Sequence, residues 1–394
     1  MGPVPAETLV LSLTGPDSHT VERAAGQGNI VIGPPNPGGY QPHLIVGPDD
    51  RIDWSVFDPF TTPAGSPWPR WFSYRGNDTG FIEWSAGRPV ERFHWTPATA
   101  VDIDAAKAHI VDFAIVSSAH AVNLVVPSVP GSLTTFSISG DLALFQVAVA
   151  DGAKGPDKVT FGPKLAGSRE AEPYRLPDFS ELARDARMVA VAGEPLGQAL
   201  DCGSLLQFGR ASAVDVSGNL VGLSALLELP ELTSLTVTHS PDLSSMPPLA
   251  SFSRLIALMV SNVEETAGKR LRSELRKLMK AGDREWQLSW VSELRKPEWF
   301  VEEYGLPFDN WSAKAAKAAT KAYKTAAAAI AGASAVAEVE AAVREFTRTF
   351  NSAPGIDTPE AEDLGDAVRL LAANAPLDVA PELAEGWFDA ERDY

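Results

Sequence analysis

The chain has 394 residues and carries 51 acidic against 33 basic side chains, a net charge of −18 and a pI of about 4.8. An acidic surface is repelled by phosphate backbones and anionic lipid, so nucleic acid and membrane surfaces are set aside as partners. A single cysteine, Cys202, excludes an intramolecular disulfide and a cysteine-based zinc cluster, and points to cytoplasmic residence. Met1–Val10 has no basic segment before its short apolar run, which argues against a signal peptide and leaves a signal-free export route open. The longest apolar run, Ala326–Ala337, is too short to span a bilayer.

Residues 1–105 read as a β-rich cap. Leu9–Leu11, Ile30–Ile32 and Leu44–Val46 are short apolar runs between Gly and Pro, the punctuation of strands and turns. No helix is expected before Asp102. Trp54, Trp68, Trp71, Trp84 and Trp95 concentrate here, and as large apolar side chains they are expected mostly in a core. Pro67-Trp68-Pro69-Arg70-Trp71 is the exception, because its prolines impose a loop that would expose Trp68, Arg70 and Trp71.

From about 109 to 263, short apolar strands alternate with turn residues. Val122-x-Leu124-x-Val126 and Phe136-x-Ile138 alternate with period two. The intervals 122 to 136, 136 to 159, 159 to 189 and 189 to 214 are uneven, at 14, 23, 30 and 25. Later the spacing tightens: Leu229, Leu232, Leu235 and Val237 return 23 residues on as Phe252, Leu255, Leu258 and Val260. Either a repeat array with insertions or an unrelated β-sheet accounts for the earlier part.

After Val263 the periodicity becomes helical. Leu271, Leu275 and Leu278 stripe a helix over Lys269–Lys280, with Thr266 a possible cap and Gly282 its end. Trp286–Leu294 is expected as a second helix, stopped near Pro297. Further helices are expected over Ser312–Ile330, Val336–Phe350, from Thr358-Pro359-Glu360 onward, and over Pro381–Arg392. Lys314, Lys317, Lys321 and Lys324 line one helix face, and the tail 353–394, with 11 acidic and 2 basic residues, offers that stripe an internal partner.

Three segments carry a shared template: Ala211-x-x-Val214-x-Val216-x-x-Asn219, Leu232-x-x-Leu235-x-Val237-x-x-Ser240 and Leu255-x-x-Leu258-x-Val260-x-x-Val263. The template resembles the leucine-rich repeat, of an irregular, bacterial type, over residues 206–263 and back to about 109. Only Asn219 stands at the asparagine position, so the sequence departs from a regular asparagine ladder. The resemblance implies a solenoid with its apolar positions inward and a concave outward face formed by Asp215, Ser217, Ser234, Thr236, Thr238, Ala257, Met259 and Ser261. It also makes that face the default binding surface, although small polar residues there equally suit an exposed sheet.

No catalytic or metal motif stands out. His19, His43, His94, His109, His120 and His239 form no ligand spacing. Asp102 and Asp104 lack the glycine and glutamate of a calcium loop, and Cys202 reads as a buried, inert thiol. The expected architecture is therefore α/β: a β-rich cap (1–105), a leucine-rich-repeat-like solenoid with closing helices (106–300) and an all-α C-terminal domain (301–394). The expected function is a protein-interaction or scaffold module that binds another protein, with no cofactor and no metal. Two alternatives stay open: an enzyme with its site at the cap–solenoid junction, and a carbohydrate-binding module using Trp68 and Trp71. The oligomeric state is not legible.

Overall fold

A computed structural model describes residues 7–23, 28–35, 41–60, 70–308 and 311–393. The described chain divides into two compact units, one reaching Phe300 and one starting at Val301.

The first unit opens with an antiparallel hairpin, β1 (Glu7–Leu11) and β2 (His19–Arg23). A twelve-stranded sheet then begins with β3 (Asn29–Gly33), β4 (Leu44–Ile45), β5 (Trp71–Arg75) and β6 (Val90–Thr96). From β6 the chain alternates between this sheet and short outer strands. β7 (Val101–Asp104), β9 (Val122–Val125) and β11 (Phe145–Ala148) form a second parallel sheet, and β8 (Ile110–Ser117) and β10 (Thr135–Gly140) lie in the first. β12 (Lys158–Pro163), β13 (Met188–Ala192), β15 (Ala213–Ser217), β17 (Ser234–Thr238), β18 (Ala257–Ser261) and β20 (Trp290–Val291) continue the large sheet. Between them, β14 (Leu200–Asp201) pairs with β16 (Leu220–Val221), and β19 (Val263–Glu264) with β21 (Leu294–Arg295).

Every pairing in the large sheet is parallel, in the order β20-β18-β17-β15-β13-β12-β10-β8-β6-β5-β3-β4. Alternation along each strand sends one set of side chains inward. Phe72, Phe93, Phe113, Phe136, Val159, Val189, Val214, Leu235 and Leu258 therefore form one buried row, paired neighbour to neighbour. Its four phenylalanines run as a ladder with ring centroids 6.1, 6.4 and 6.1 Å apart. Such spacings lie within the range where aromatic pairs attract beyond their buried area.

The register explains the uneven intervals in the sequence. Leu235 and Val237 sit directly beside Leu258 and Val260, so the 23-residue echo is one step across the sheet. Phe113, Phe136 and Val159 repeat the same 23-residue step earlier. Val122–Val126 alternates as cleanly, but belongs to the second sheet, and counting from it produced the interval of 14. The large sheet also crosses residue 105 without a break, since β3–β6 and, beyond it, β8, β10, β12, β13, β15, β17, β18 and β20 belong to it alike.

Five of the large-sheet strands end at or just before a residue of positive φ. Gly140 closes β10, and Gly218, His239, Asn262 and Glu293 lie just beyond β15, β17, β18 and β20, with φ of +104°, +94°, +53°, +52° and +47°. At Gly140 a Cβ would collide with the Ser117 carbonyl of the preceding strand, so only glycine fits that approach. Asn219 Nδ2 donates to the Gly197 carbonyl (3.0 Å), bridging successive turns, whereas the buried Ser240 hydroxyl donates to Asp242 O (3.2 Å).

Two helical expectations differ from what is seen. α1 (Gly80–Gly87) lies where none was expected, because it is too short for a periodic stripe and buries only Phe81 and Ser85. Conversely, Trp286–Leu294 is not helical: its apolar positions pair as β20 and β21, with Met259 beside Trp290 and Val260 beside Val291. α2 (Ser180–Ala183) is a single turn. α3 (Glu265–Ala281) buries Leu271 and Leu275 as expected and ends at left-handed Gly282, but Glu264 caps it, accepting from Thr266 N (2.6 Å) and Ala267 N (2.9 Å). α4 (Pro297–Glu302) buries Trp299 and Phe300.

The described elements after α4 are helices: α5 (Ala313–Ala331), α6 (Val336–Arg348), α7 (Thr358–Ala373) and α8 (Pro381–Glu391). Their apolar stripes meet around Val343, Phe346, Leu364, Val368, Leu371 and Phe388. Asp357 and Glu360 form the capping box of α7. Of the lysine stripe, Lys324 pairs with Glu302 (2.7 Å) and Glu303 (3.0 Å) rather than with the acidic tail, whose Glu391 takes Arg344 (3.0 Å) and Arg348 (2.6 Å).

Candidate functional site

The face of the large sheet turned away from the core is assembled by the same register. One row runs Trp71, Arg92, Asp112, Thr135, Lys158, Met188, Ala213, Ser234, Ala257. The next runs Ser73, His94, Ala114, Ser137, Thr160, Ala190, Asp215, Thr236, Met259, Trp290. Ser217, Thr238 and Ser261 stand side by side at the strand ends. The outward residues expected on β15, β17 and β18 thus form one contiguous patch. Ala257 and Ser261 are buried within it, while the others are half-buried.

Trp71 lies on this same face, seven strand steps from Ser234, or about 34 Å at about 4.8 Å per step. It opens β5 rather than sitting in a loop. The Arg92 and Arg70 guanidinium groups lie over its ring at 4.9 and 5.0 Å, within cation–π range. Arg92 pairs in turn with Asp112 (2.7 Å), and Arg70 approaches Glu91 (3.7 Å). Trp68 falls outside the described residues. Of the other tryptophans, Trp54 and Trp95 are buried, and the partly buried Trp84 packs against the core and donates to Asp58 (2.8 Å).

Two features of this face were not legible in the sequence. Trp290 is 38% exposed beside Met259, and reading its segment as a helix hid it. The Arg92–Asp112 pair joins residues 20 apart in sequence, and only the register of β6 against β8 brings them together. Asp215 is the carboxylate of the central strands. Burial raises its pKa, and the positive charge of Lys158 opposes that shift.

At two other places in the first unit polar groups satisfy one another. Asn262 bridges His239 Nε2 (3.1 Å) and Arg295 Nε (2.7 Å), and the Arg295 guanidinium lies 4.3 Å from the Trp299 ring. A 310 Å³ cleft is lined by Arg175, Asp178, Ser204 and Gln207. There Arg175 pairs with Asp201, and Gln207 Nε2 donates to Pro177 O (3.1 Å) and Ser204 O (2.9 Å). Cys202 is fully buried and its thiol is pushed up to about 12, by burial first and by the Asp201 carboxylate second. Near residue 105, Ala105 and Ala108 are fully buried. Among the described residues, no group of three His, Cys, Asp or Glu side chains is placed to hold a metal ion. No described helix is long and apolar enough to cross a membrane.

No protein-family model, characterised protein or solved structure matches this chain.

Proposed function

We propose that the described strands of residues 106–300 form an irregular solenoid of leucine-rich-repeat type, which the strands of the β-rich cap extend, that the helices after Val301 form an all-α domain, and that the chain is a protein-interaction or scaffold module. The partner protein seats on the outward face of the large sheet. The observation that carries this reading is the continuity of that face, eleven strands in register from β3 to β20. At about 4.8 Å per strand and about 3.3 Å per residue, three rows cover roughly 50 by 15 Å, about the 800 Å² that one side of a standard protein interface buries.

The central rows are small and polar, and bulkier anchors, Trp71 and Trp290, stand towards opposite ends. Tryptophan dominates interface energetics when a partner desolvates it. The two guanidinium groups over Trp71 favour this reading over stacking of a sugar, which would have to displace them. Thr236→Arg with Thr238→Arg places two long cations in the middle of the patch. This double variant should abolish capture of the partner from a lysate of the source cells, with circular dichroism unchanged. Undiminished capture rejects the face.

A further inference from the structure

Lys158, Arg187 and Arg210 stand at or just before the starts of three neighbouring strands of the large sheet. Lys158 opens β12, Arg187 immediately precedes β13, and Arg210 lies three residues before β15. Arg187 and Arg210 are exposed and Lys158 is half-exposed. Arg187 Nη1 donates to the Arg210 carbonyl (3.4 Å), which ties two of them together. None of the three forms an ion pair with a described residue, in contrast to the cations on either side. Arg92 is paired with Asp112, and Arg254 with Glu231 (3.3 Å).

We propose that the segment of the partner seated here is an acidic polypeptide, its carboxylates meeting Lys158, Arg187 and Arg210. The inference rests on the reading of the outward face as a binding surface and adds the chemistry of what binds. Residues 1–300 carry 34 acidic and 25 basic side chains, a net of −9, yet Lys158, Arg187 and Arg210 gather at the starts of three neighbouring strands. The neighbouring outward residues Thr160, Ala190 and Ala213 are small, and Met188 stands beside Lys158 as an apolar contact for a docked chain. Neighbouring strands are about 4.8 Å apart, and acidic residues that share one face lie about 5–6 Å apart at i,i+4 in a helix or about 7 Å apart at i,i+2 in a strand, so the spacings fit. Lys158 and Arg210 feel the Asp215 and Asp185 carboxylates without closing an ion pair on them, and long cations so placed raise the association rate of an acidic partner and disfavour basic ones.

The test titrates the full-length chain into fluorescein-labelled decaglutamate at low ionic strength and reads anisotropy. Lys158→Glu/Arg187→Glu/Arg210→Glu should weaken binding at least tenfold, and the milder Lys158→Gln/Arg187→Gln/Arg210→Gln should weaken it by less. Lys107→Glu/Lys277→Glu/Lys280→Glu, an equal charge change at exposed lysines elsewhere, should leave binding within about twofold. Absence of binding to the native protein, equal loss in both Glu triples, or tighter binding to oligo-dT or phosphatidylserine vesicles than to decaglutamate overturns the proposal. A captured partner that is lost with Thr236→Arg/Thr238→Arg but indifferent to reversal of the three cations also overturns it, while leaving the binding face in place.

Discussion

Gly140 tests whether successive strands of the large sheet approach as closely as described. Its φ of +104° disfavours any L side chain, at a cost of about 1–2 kcal/mol for the left-handed region. In Gly140→Ala the new Cβ overlaps the Ser117 carbonyl oxygen and lies 2.6 Å from its carbonyl carbon and 2.9 Å from Ser118 Oγ. The contact is with backbone, so no side-chain rotation relieves it. Opening the turn strains two hydrogen bonds, Asp141 N to Ser117 O (2.9 Å) and Lys164 N to Gly140 O (2.7 Å), each worth about 1 kcal/mol. The expected loss is therefore about 3–4 kcal/mol. Gly152→Ala is the control: its φ is +72°, but a Cβ there meets nothing within 4 Å, so only the backbone cost of about 1 kcal/mol applies. Urea unfolding followed by circular dichroism measures both, with an unchanged slope showing that the native state is the one perturbed. A Gly140→Ala loss within about 0.5 kcal/mol of the Gly152→Ala loss would refute the close approach, because the measurement separates free energies of about 1 kcal/mol.

Three further outcomes are expected. Phe113 is fully buried between Phe93 and Phe136, so Phe113→Ala should cost about 3–5 kcal/mol in urea unfolding, and a loss below about 1 kcal/mol would contradict the ladder. Burial raises the Asp215 pKa above its ordinary 3.8, so the native state binds that proton more tightly than the unfolded chain. Stability from this group is highest below pH 3.8 and falls as pH rises through the raised native value; Asp215→Asn should remove that slope, and parallel pH–stability curves for the two proteins would exclude the shift. Cys202, buried and pushed up to about 12, should react with a disulfide reagent at pH 7.5 only once urea unfolds the chain, whereas prompt stoichiometric labelling of the native protein would show an open thiol.

The sequence by itself determined the local choices. Alternation at Leu235–Val237 and Leu258–Val260 fixed two strands and their inward faces, since a pleat turns successive side chains to opposite sides. The leucines of α3 and the alanine-rich run of α5 fixed helices through a 3.6-residue stripe and intrinsic propensity. The outward positions on β15, β17 and β18 followed from the same parity. Only the tertiary structure decided which strand joins which sheet. β8 and β9 are both short and apolar, and no local signal assigns Phe113 to the twelve-stranded sheet and Leu124 to the three-stranded one. It also turned Trp290 from an expected helix into an edge strand, because pairing with Met259 outweighs a weak helical preference over so short a stretch. Trp71, Lys158 and Thr236 are far apart in sequence and share one face because parallel register, a property of neighbouring backbones, aligns residues whose own side chains carry no record of it.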